Sequence, residues 1–346
     1  MAVIRQGFTF DDVLLRPLAS AMEPAEASLK TNIAGIALSV PFLSAAMDRV
    51  TGPEMAIAIG KLGGLGVIHR NDSIEEQVKM VLEVKKAGVP VAAACGPFAA
   101  DRALALDAAG VDAIVIDCAH GHNLNVVESA KKIKKSLKHA KVIFGNIATA
   151  EAAKAACTFA DAIKVGVGPG SICTTRVISG VGVPQLSAIL EVAAVANKKK
   201  IPVIADGGIR TSGDIAKALA AGASAVMCGN LFAGTDEAPG KIVEKDGKRF
   251  KEYRGMGSKS VIESAAGKER YFTHGRKAVP EGVEALVPCK GPVAEIVATL
   301  ASGVQVGMGY AGAKTIPEFQ KKAQFIRITH ASIAEGKPHS LSSIEA

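Results

Sequence analysis

Eight short apolar runs, separated by segments with helical character, constrain the fold of this 346-residue chain more than any other feature. The runs span residues 40–47, 65–69, 89–95, 112–118, 141–147, 161–167, 201–208 and 224–230. Each run is nearly continuous in apolar character, which is typical of parallel strands buried on both faces. The alternation predicts a (β/α)8 TIM barrel of the α/β class, as a single domain over residues 1–346.

Residues with capping and turn preferences mark the ends of the segments between these runs. Ser73, followed three residues later by Glu76, forms the pattern of a capping box at a helix start. Gly110 and Gly222 follow helical segments at the place where glycine commonly ends a helix. A doubly wound sheet is the alternative, but it would require two domains, and no linker divides the chain.

One segment interrupts the alternation. Residues 235–290 follow the eighth run and are charged and rich in glycine. An insertion of this length at the end of a barrel strand predicts a catalytic flap. Weak alternation on both sides of Asp246-Gly247 predicts a hairpin inside it. A polar C-terminal tail is expected at residues 331–346.

Charge and cysteine use narrow the class of protein. The formal net charge is +8, but the lysines are spread over helix faces, which favours a solvated surface over nucleic-acid binding and suits an anionic small ligand. No apolar run approaches the ~20 residues that cross a bilayer, and residues 1–10 lack the apolar core of a signal peptide. The six cysteines are scattered without a C-x-x-C pair, so we expect reduced thiols in a cytoplasmic protein.

Glycines and polar side chains cluster just after the apolar runs, where a TIM barrel places its chemistry. Residues 207–208 and 229–230 follow the seventh and eighth runs, and their backbone amides would suit a phosphate group. Tight strand-to-helix turns are the alternative explanation for these glycines. Asp117 and Asp206 end two of the runs and would accept hydrogen bonds from sugar diols. Alternatively, they would cap helices or form a salt bridge within the barrel mouth.

The run GPGSICTTR, residues 168–176, places one thiol, that of Cys173, among glycines and hydroxyls just past the sixth apolar run. Turn amides in such a loop would favour a thiolate and hence a nucleophile. Free cysteine is also among the most buried residue types, and an inert structural thiol is common. Local sequence alone leaves both interpretations of Cys173 open.

Longer motifs run along almost the whole chain, and together they resemble one family. They read FTFDDVLLRP, SAAMD, LGGLGVIHRN, GNIAT, GVGPGSICTTR, VIADGGIR, EAPG, YRGMGS, VPEGVE and MGYAGA. This set resembles the IMP dehydrogenase and GMP reductase family. The resemblance implies a TIM barrel that is usually a homotetramer. It also implies that the regulatory CBS modules, commonly inserted after the second strand, are absent here.

The resemblance implies NAD-dependent oxidation of IMP to XMP. Cys173 would attack C2 of the purine, hydride would pass to NAD, and the resulting thioimidate would be hydrolysed. Thr175 would help to position the water. Arg270 would act as the general base together with Tyr271, although arginine is normally fixed as a cation.

The resemblance also implies a set of binding residues. Those for the phosphate are Ser171, Gly208, Gly229, Asn230 and Tyr253. Those for the ribose, the base and the neighbouring substrate surface are Asp206, Met256, Gly257, Glu281, Ser44 and Met47. Those on the nicotinamide side are Asp117, Asn146 and Gly168. A potassium ion would be held by carbonyls of Gly166, Gly168 and Cys173, with Glu335 and Gly336 supplied by a neighbouring subunit.

Two other functions remain as alternatives. GMP reductase shares the barrel, the cysteine loop and the threonine, and it deaminates GMP with NADPH. The segments ERYF and VPEGVEALVP favour the dehydrogenase. A non-catalytic barrel that senses purine nucleotides is the second alternative, and the complete set Cys173, Thr175, Arg270 and Tyr271 argues against it.

Overall fold

The computed structural model describes residues 4–263 and 279–338, and eight of its parallel strands close into a barrel. The barrel strands are β4 (Phe42–Ser44), β5 (Leu65–Ile68), β6 (Val91–Cys95), β7 (Ala113–Asp117), β8 (Lys141–Ile147), β9 (Ala162–Val165), β10 (Val203–Asp206) and β11 (Ala225–Cys228). Each strand pairs with the next along the chain, and β11 pairs with β4. The predicted TIM barrel is confirmed, and every apolar run contains one strand.

Helices alternate with these strands, and shorter elements decorate the ends of the barrel. The helices are α1 (Pro53–Lys61), α2 (Ile74–Lys86), α3 (Ala100–Ala108), α4 (Leu124–Ser136), α5 (Ala150–Ala156), α6 (Thr175–Ser179), α7 (Gln185–Ala196), α8 (Ser212–Ala220), α9 (Lys259–Glu263), α10 (Val293–Tyr310), α11 (Ile316–Lys322) and α12 (His330–Glu335). Single 3-10 turns span Phe10–Asp12, Pro24–Glu26 and Asn197–Lys199. The predicted polar tail therefore begins within α12.

Side chains of the barrel strands alternate between two apolar cores because successive residues of a strand face opposite sides. In β5, Leu65 and Val67 pack inside the barrel, whereas Ile68 packs toward the helices. Ile33 joins the inner core from the hairpin of β2 (Thr31–Ile33) and β3 (Ile36–Leu38). This hairpin covers the amino-terminal end of the barrel, so the inner core is sealed at the end opposite the strand carboxyl termini.

The predicted helix boundaries follow from local hydrogen bonding. The hydroxyl of Ser73 accepts a hydrogen bond of 3.1 Å from the Glu76 amide at the start of α2. Gly110 and Gly222 follow the ends of α3 and α8 with φ of +81° and +110°, a conformation that favours glycine. The predicted helix start at Ser73 and both glycine helix ends are confirmed. The capping box itself is only half formed, and the Glu76 carboxylate contacts Lys79. Helix α2 is the single helix between β5 and β6, so the chain continues there without an inserted module.

The segment after β11 forms a three-stranded sheet beside the barrel mouth. Strands β12 (Ile242–Lys245) and β13 (Lys248–Arg254) form the predicted hairpin around Asp246 and Gly247, and β14 (Glu284–Pro288) pairs with β13. Strand β1 (Val13–Leu15) pairs with β15 (Phe325–Arg327) in a separate two-stranded sheet. Among residues 4–263 and 279–338, no helix combines the length and apolar character needed to span a membrane.

Candidate active site

A cavity of about 290 Å³ opens at the carboxyl ends of the barrel strands, the end at which TIM barrels carry their active sites. The sheet of β12, β13 and β14, which we call the flap sheet, contributes Tyr253 to its wall. Most of the residues singled out from the sequence line it, namely Met47, Asp117, Asn146, Gly166, Gly168, Ser171, Cys173, Thr175, Asp206, Gly208, Gly229, Asn230, Tyr253, Met256, Gly257 and Glu281. Residues far apart in sequence thus converge on one space.

The other sequence-derived site residues lie elsewhere. Ser44 is fully buried in β4 and does not line the cavity. Glu335 and Gly336 lie at the end of α12, away from the cavity of their own chain. Arg270 and Tyr271 lie outside the described residues.

Backbone pairing attaches the cysteine loop to the flap. The Thr174 amide donates to the Glu281 carbonyl at 2.9 Å, and the Val283 amide donates to the Ile172 carbonyl at 3.0 Å. Cys173 and Gly282 face each other between these two bonds as an isolated antiparallel bridge. The segment just before β14 therefore fixes the backbone on both sides of Cys173.

Side chains extend this connection into a chain of hydrogen bonds. The Cys173 thiol donates to Thr175 Oγ1 at 3.2 Å, and the Thr175 hydroxyl donates to Glu281 Oε2 at 2.8 Å. A hydroxyl both accepts and donates, so Thr175 links the thiol to the carboxylate. The resemblance implies that Glu281 binds the purine, and the structure adds its contact with Thr175.

Arg176 ties together the two ends of the cysteine loop. Its guanidinium donates to the carbonyls of Val167 at 3.3 Å and Val183 at 2.5 Å. Its stem passes between two glycines, since a Cβ added at either Gly168 or Gly182 would lie 2.6 Å from Arg176 Cγ. The loop that presents Cys173 is thus closed by one side chain, a role that the sequence did not indicate.

Glycines leave space at the two turns where phosphate binding is expected. Gly208 has a φ of +77°, and a Cβ at Gly229 would lie 2.9 Å from the Tyr253 hydroxyl. Burial raises the pKa of Tyr253 to about 12, although a hydrogen bond with Ser171 by itself lowers that pKa. Tyr253 therefore keeps its proton and remains a donor beside the Gly229 turn.

The most buried ionic group of the cavity was missed in the sequence. Lys164 is 3% exposed and forms ion pairs with Asp117 at 3.0 Å and Asp206 at 2.6 Å. Its ammonium also contacts Asn146 Oδ1. A lysine inside the apolar run DAIKVGV was the available signal, because lysine is almost never fully buried unless it is paired.

Fold and site together define a class. The chain is a (β/α)8-barrel protein with a cysteine loop, a threonine–glutamate pair and glycine turns around one cavity at the strand carboxyl ends. A cavity at this end of the barrel is the arrangement of a barrel enzyme.

Comparison with known proteins identifies the family. The IMP dehydrogenase / GMP reductase domain matches residues 7–339. Proteins named inosine-5′-monophosphate dehydrogenase from Methanocaldococcus jannaschii, Borreliella burgdorferi and Cryptosporidium parvum are each 42% identical to the chain. The matches cover 97%, 99% and 99% of this chain and 96%, 99% and 97% of those proteins, respectively. The chain belongs to the IMP dehydrogenase / GMP reductase family and is an oxidoreductase.

The alignment with the Methanocaldococcus jannaschii protein spans 474 positions, more than the 346 residues of this chain. That relative therefore contains stretches that this chain lacks. The uninterrupted passage from β5 through α2 to β6 agrees with the expected form without CBS modules.

Proposed function

We propose that the chain catalyses the NAD-dependent oxidation of IMP to XMP through a covalent intermediate on Cys173. The observation that carries this proposal is the chain of hydrogen bonds from Cys173 through Thr175 to Glu281, inside the cavity at the strand carboxyl ends. It gives the thiol a route for losing its proton, which a nucleophilic cysteine requires. The relatives named above support IMP as the substrate.

In the proposed reaction, the Cys173 thiol passes its proton toward Thr175 and Glu281, and the sulfur bonds to C2 of the hypoxanthine ring. The C2–N3 double bond opens at the same time, and its electron pair moves to N3, which takes up a proton. Loss of hydride from C2 leaves a thioimidate on the cysteine. Bound NAD would supply the acceptor for that hydride. Water then adds to the thioimidate carbon, the carbon–sulfur bond breaks, and XMP and the thiol are released.

The cavity residues fit a nucleoside monophosphate. The turns at Gly208 and Gly229 would take the phosphate, with Tyr253 as a hydroxyl donor. The Asp206 carboxylate would accept hydrogen bonds from the ribose. Met256 lines the same wall and supplies apolar surface for the base.

The residues expected on the nicotinamide side also fit a ribosyl ligand. Asp117 and Asn146 line the cavity with anchored side chains, and a carboxylate is a suitable acceptor for sugar hydroxyls. Gly168 beside them has a φ of +79° and approaches the ligand space through its backbone. These three residues would hold and orient the nicotinamide riboside against the substrate.

One oxygen of the expected potassium site is already engaged within the chain. The Gly166 carbonyl accepts a hydrogen bond of 2.7 Å from Asn146 Nδ2, so an ion there would share that oxygen with the amide. Potassium therefore stays a prediction from the resemblance, and no step of the proposed reaction uses it.

A paired assay tests the proposal against the two alternatives. We expect NADH to form from IMP and NAD, and no comparable oxidation of NADPH with GMP. Oxidation of NADPH with GMP, without activity on IMP and NAD, would establish the reductase instead. Nucleotide binding without turnover in both assays would establish a sensor.

Glu281→Gln tests the route of the proton. Glutamine keeps an acceptor for the Thr175 hydroxyl but does not take up a proton, so we expect kcat to fall about 10²-fold, the lower end for general acid–base catalysis. Steady-state kinetics with IMP and NAD measure this fall. The matched control is Glu284→Gln, since Glu284 begins β14 just after the Glu281 segment and contacts the Ser260 amide instead. A rise in KM for IMP with kcat unchanged would show that Glu281 only binds the purine.

A further inference from the structure

Lys164 lies at the centre of a network of side chains from four adjacent barrel strands. Its neighbours are Asp117 at the end of β7, Asn146 in β8 and Asp206 at the end of β10, while Lys164 itself lies in β9. Parallel strands bring their carboxyl ends to one edge of the barrel, so the four side chains meet at the cavity. All four line its wall.

The ammonium of Lys164 has three protons, and it has three acceptors. These are Asp117 Oδ1 at 3.0 Å, Asp206 Oδ2 at 2.6 Å and Asn146 Oδ1. The contacts use all three donors, so none is left for a ligand. Lys164 therefore acts on ligands through its neighbours.

We infer that Lys164 is a positioning residue, which holds Asp117 and Asp206 as two fixed hydroxyl acceptors in the cavity wall. The inference deepens the proposed function, on which its kinetic test rests. Because both carboxylates contact the same ammonium, the distance between the two acceptors depends on Lys164. Substrate ribose and nicotinamide ribose would then be held in a fixed relation to each other.

Lys164 also fixes the orientation of Asn146. The amide oxygen of Asn146 faces the ammonium, which turns its Nδ2 toward the Gly166 carbonyl at 2.7 Å and Asp206 Oδ2 at 2.9 Å. Asp206 is thus bound by both Lys164 and Asn146. Without the ammonium, the Asn146 amide would lose the contact that keeps its oxygen toward Lys164 and its Nδ2 toward Gly166.

The network contains two carboxylates and one ammonium. Burial by itself lowers the pKa of Lys164, but the charges of Asp117 and Asp206 outweigh it and hold that pKa above its usual value. Other ionisable groups in or next to the network are Arg70, Cys118, Cys173, Arg210, Cys228, Tyr253 and Glu281. Burial raises the pKa of Cys228 to about 12, so that thiol stays neutral beside Asp206.

Replacing Lys164 with a neutral residue leaves the Asp117 and Asp206 carboxylates close together without the cation that they share. Like charges in one site favour the uptake of a proton. In Lys164→Met we therefore expect the pair to bind one proton in the folded state. If the Lys164 side chain only filled space, methionine would replace its stem, and we would expect no proton uptake by the two carboxylates.

The test compares Lys164→Met and Lys164→Arg with the wild type. We expect KM for both IMP and NAD to rise about tenfold or more in Lys164→Met, because buried partners lose their hydrogen bonds. Lys164→Arg keeps the positive charge and should recover part of this loss. The rise in KM should shrink toward low pH in Lys164→Met alone.

Lys134→Met is the matched control. Lys134 pairs with Asp161, which precedes the same strand β9 at its amino-terminal end, far from the cavity. This variant loses a lysine–aspartate ion pair that is only partly buried and lies outside the cavity. We therefore expect KM values within about twofold of the wild type. Equal kinetic constants and equal pH profiles in Lys164→Met and Lys134→Met would overturn the inference.

A second readout does not depend on turnover. The unfolding free energy of Lys164→Met should fall below that of the wild type, and this deficit should shrink as the pH falls from about 8 to about 5, because the folded variant binds the extra proton. A deficit that does not change with pH would contradict the inference. If Lys164→Met does not fold, Lys164→Gln gives the same comparison, because it also removes the positive charge. A wild type without IMP oxidation would reject the proposed function and leave this stability test decisive.

Discussion

Cys173→Ala is expected to abolish IMP-dependent NADH formation, with a loss of about 10³-fold or more, because no covalent intermediate can form. Nucleotide binding should persist. The Cys173 sulfur contacts the Thr175 hydroxyl, whereas Asp206 and the two glycine turns lie at the ends of β10 and β11. Absorbance of NADH measures turnover, and calorimetric titration with IMP measures binding.

The control for this experiment is Cys157→Ala. Cys157 is a half-buried free thiol at the end of α5, outside the cavity. Its loss should leave turnover close to that of the wild type. Substantial turnover by Cys173→Ala would exclude Cys173 as the nucleophile, and the hydrogen bonds of Thr175 and Glu281 would then need another role.

Gly166→Ala is expected to cause the second large effect, a loss of about 2–5 kcal/mol in the free energy of unfolding. Gly166 has a φ of +151°, and an added Cβ would lie 2.0 Å from the Asp206 carbonyl oxygen. The strand β10 would have to move, and Asp206 with it. Urea unfolding followed by circular dichroism measures the change.

Gly110→Ala separates strain of the backbone from collision with a neighbour. Gly110 has a positive φ of +81° at the end of α3, but an added Cβ has no neighbour within 4 Å there. We expect this variant to lose only about 1–2 kcal/mol, the cost of the backbone conformation. Equal losses in the two variants would show that the contact with Asp206 does not contribute.

The sequence predicted the elements of the barrel well because strand burial is a local property. Continuous apolar runs such as DAIVIDC identify strands without knowledge of their partners. The same runs also locate the chemistry, since Asp117 and Asp206 end two of them and parallel strands share one edge.

The contacts inside the site were beyond sequence patterns because they join distant segments. Thr175 and Glu281 are separated by 106 positions, and only the docking of the flap brings them together. Arg176 donates to the backbone carbonyls of Val167 and Val183. Every residue has such a carbonyl, so residue type gives no sign of these contacts. Lys164 interrupts an apolar run, and its partners become visible only when four strands are placed side by side.

Because the flap is translated after the cysteine loop, the hydrogen-bond chain of Cys173 is completed late in synthesis. Glu281 is translated 106 residues after Thr175, which takes about 5–20 s at the usual speed of the ribosome. During that interval the nascent chain contains Cys173 but not the carboxylate that completes its hydrogen-bond chain. Cys173 thus acquires its full hydrogen-bond chain only after all eight barrel strands have been translated. The barrel is therefore synthesised before its candidate active site is complete.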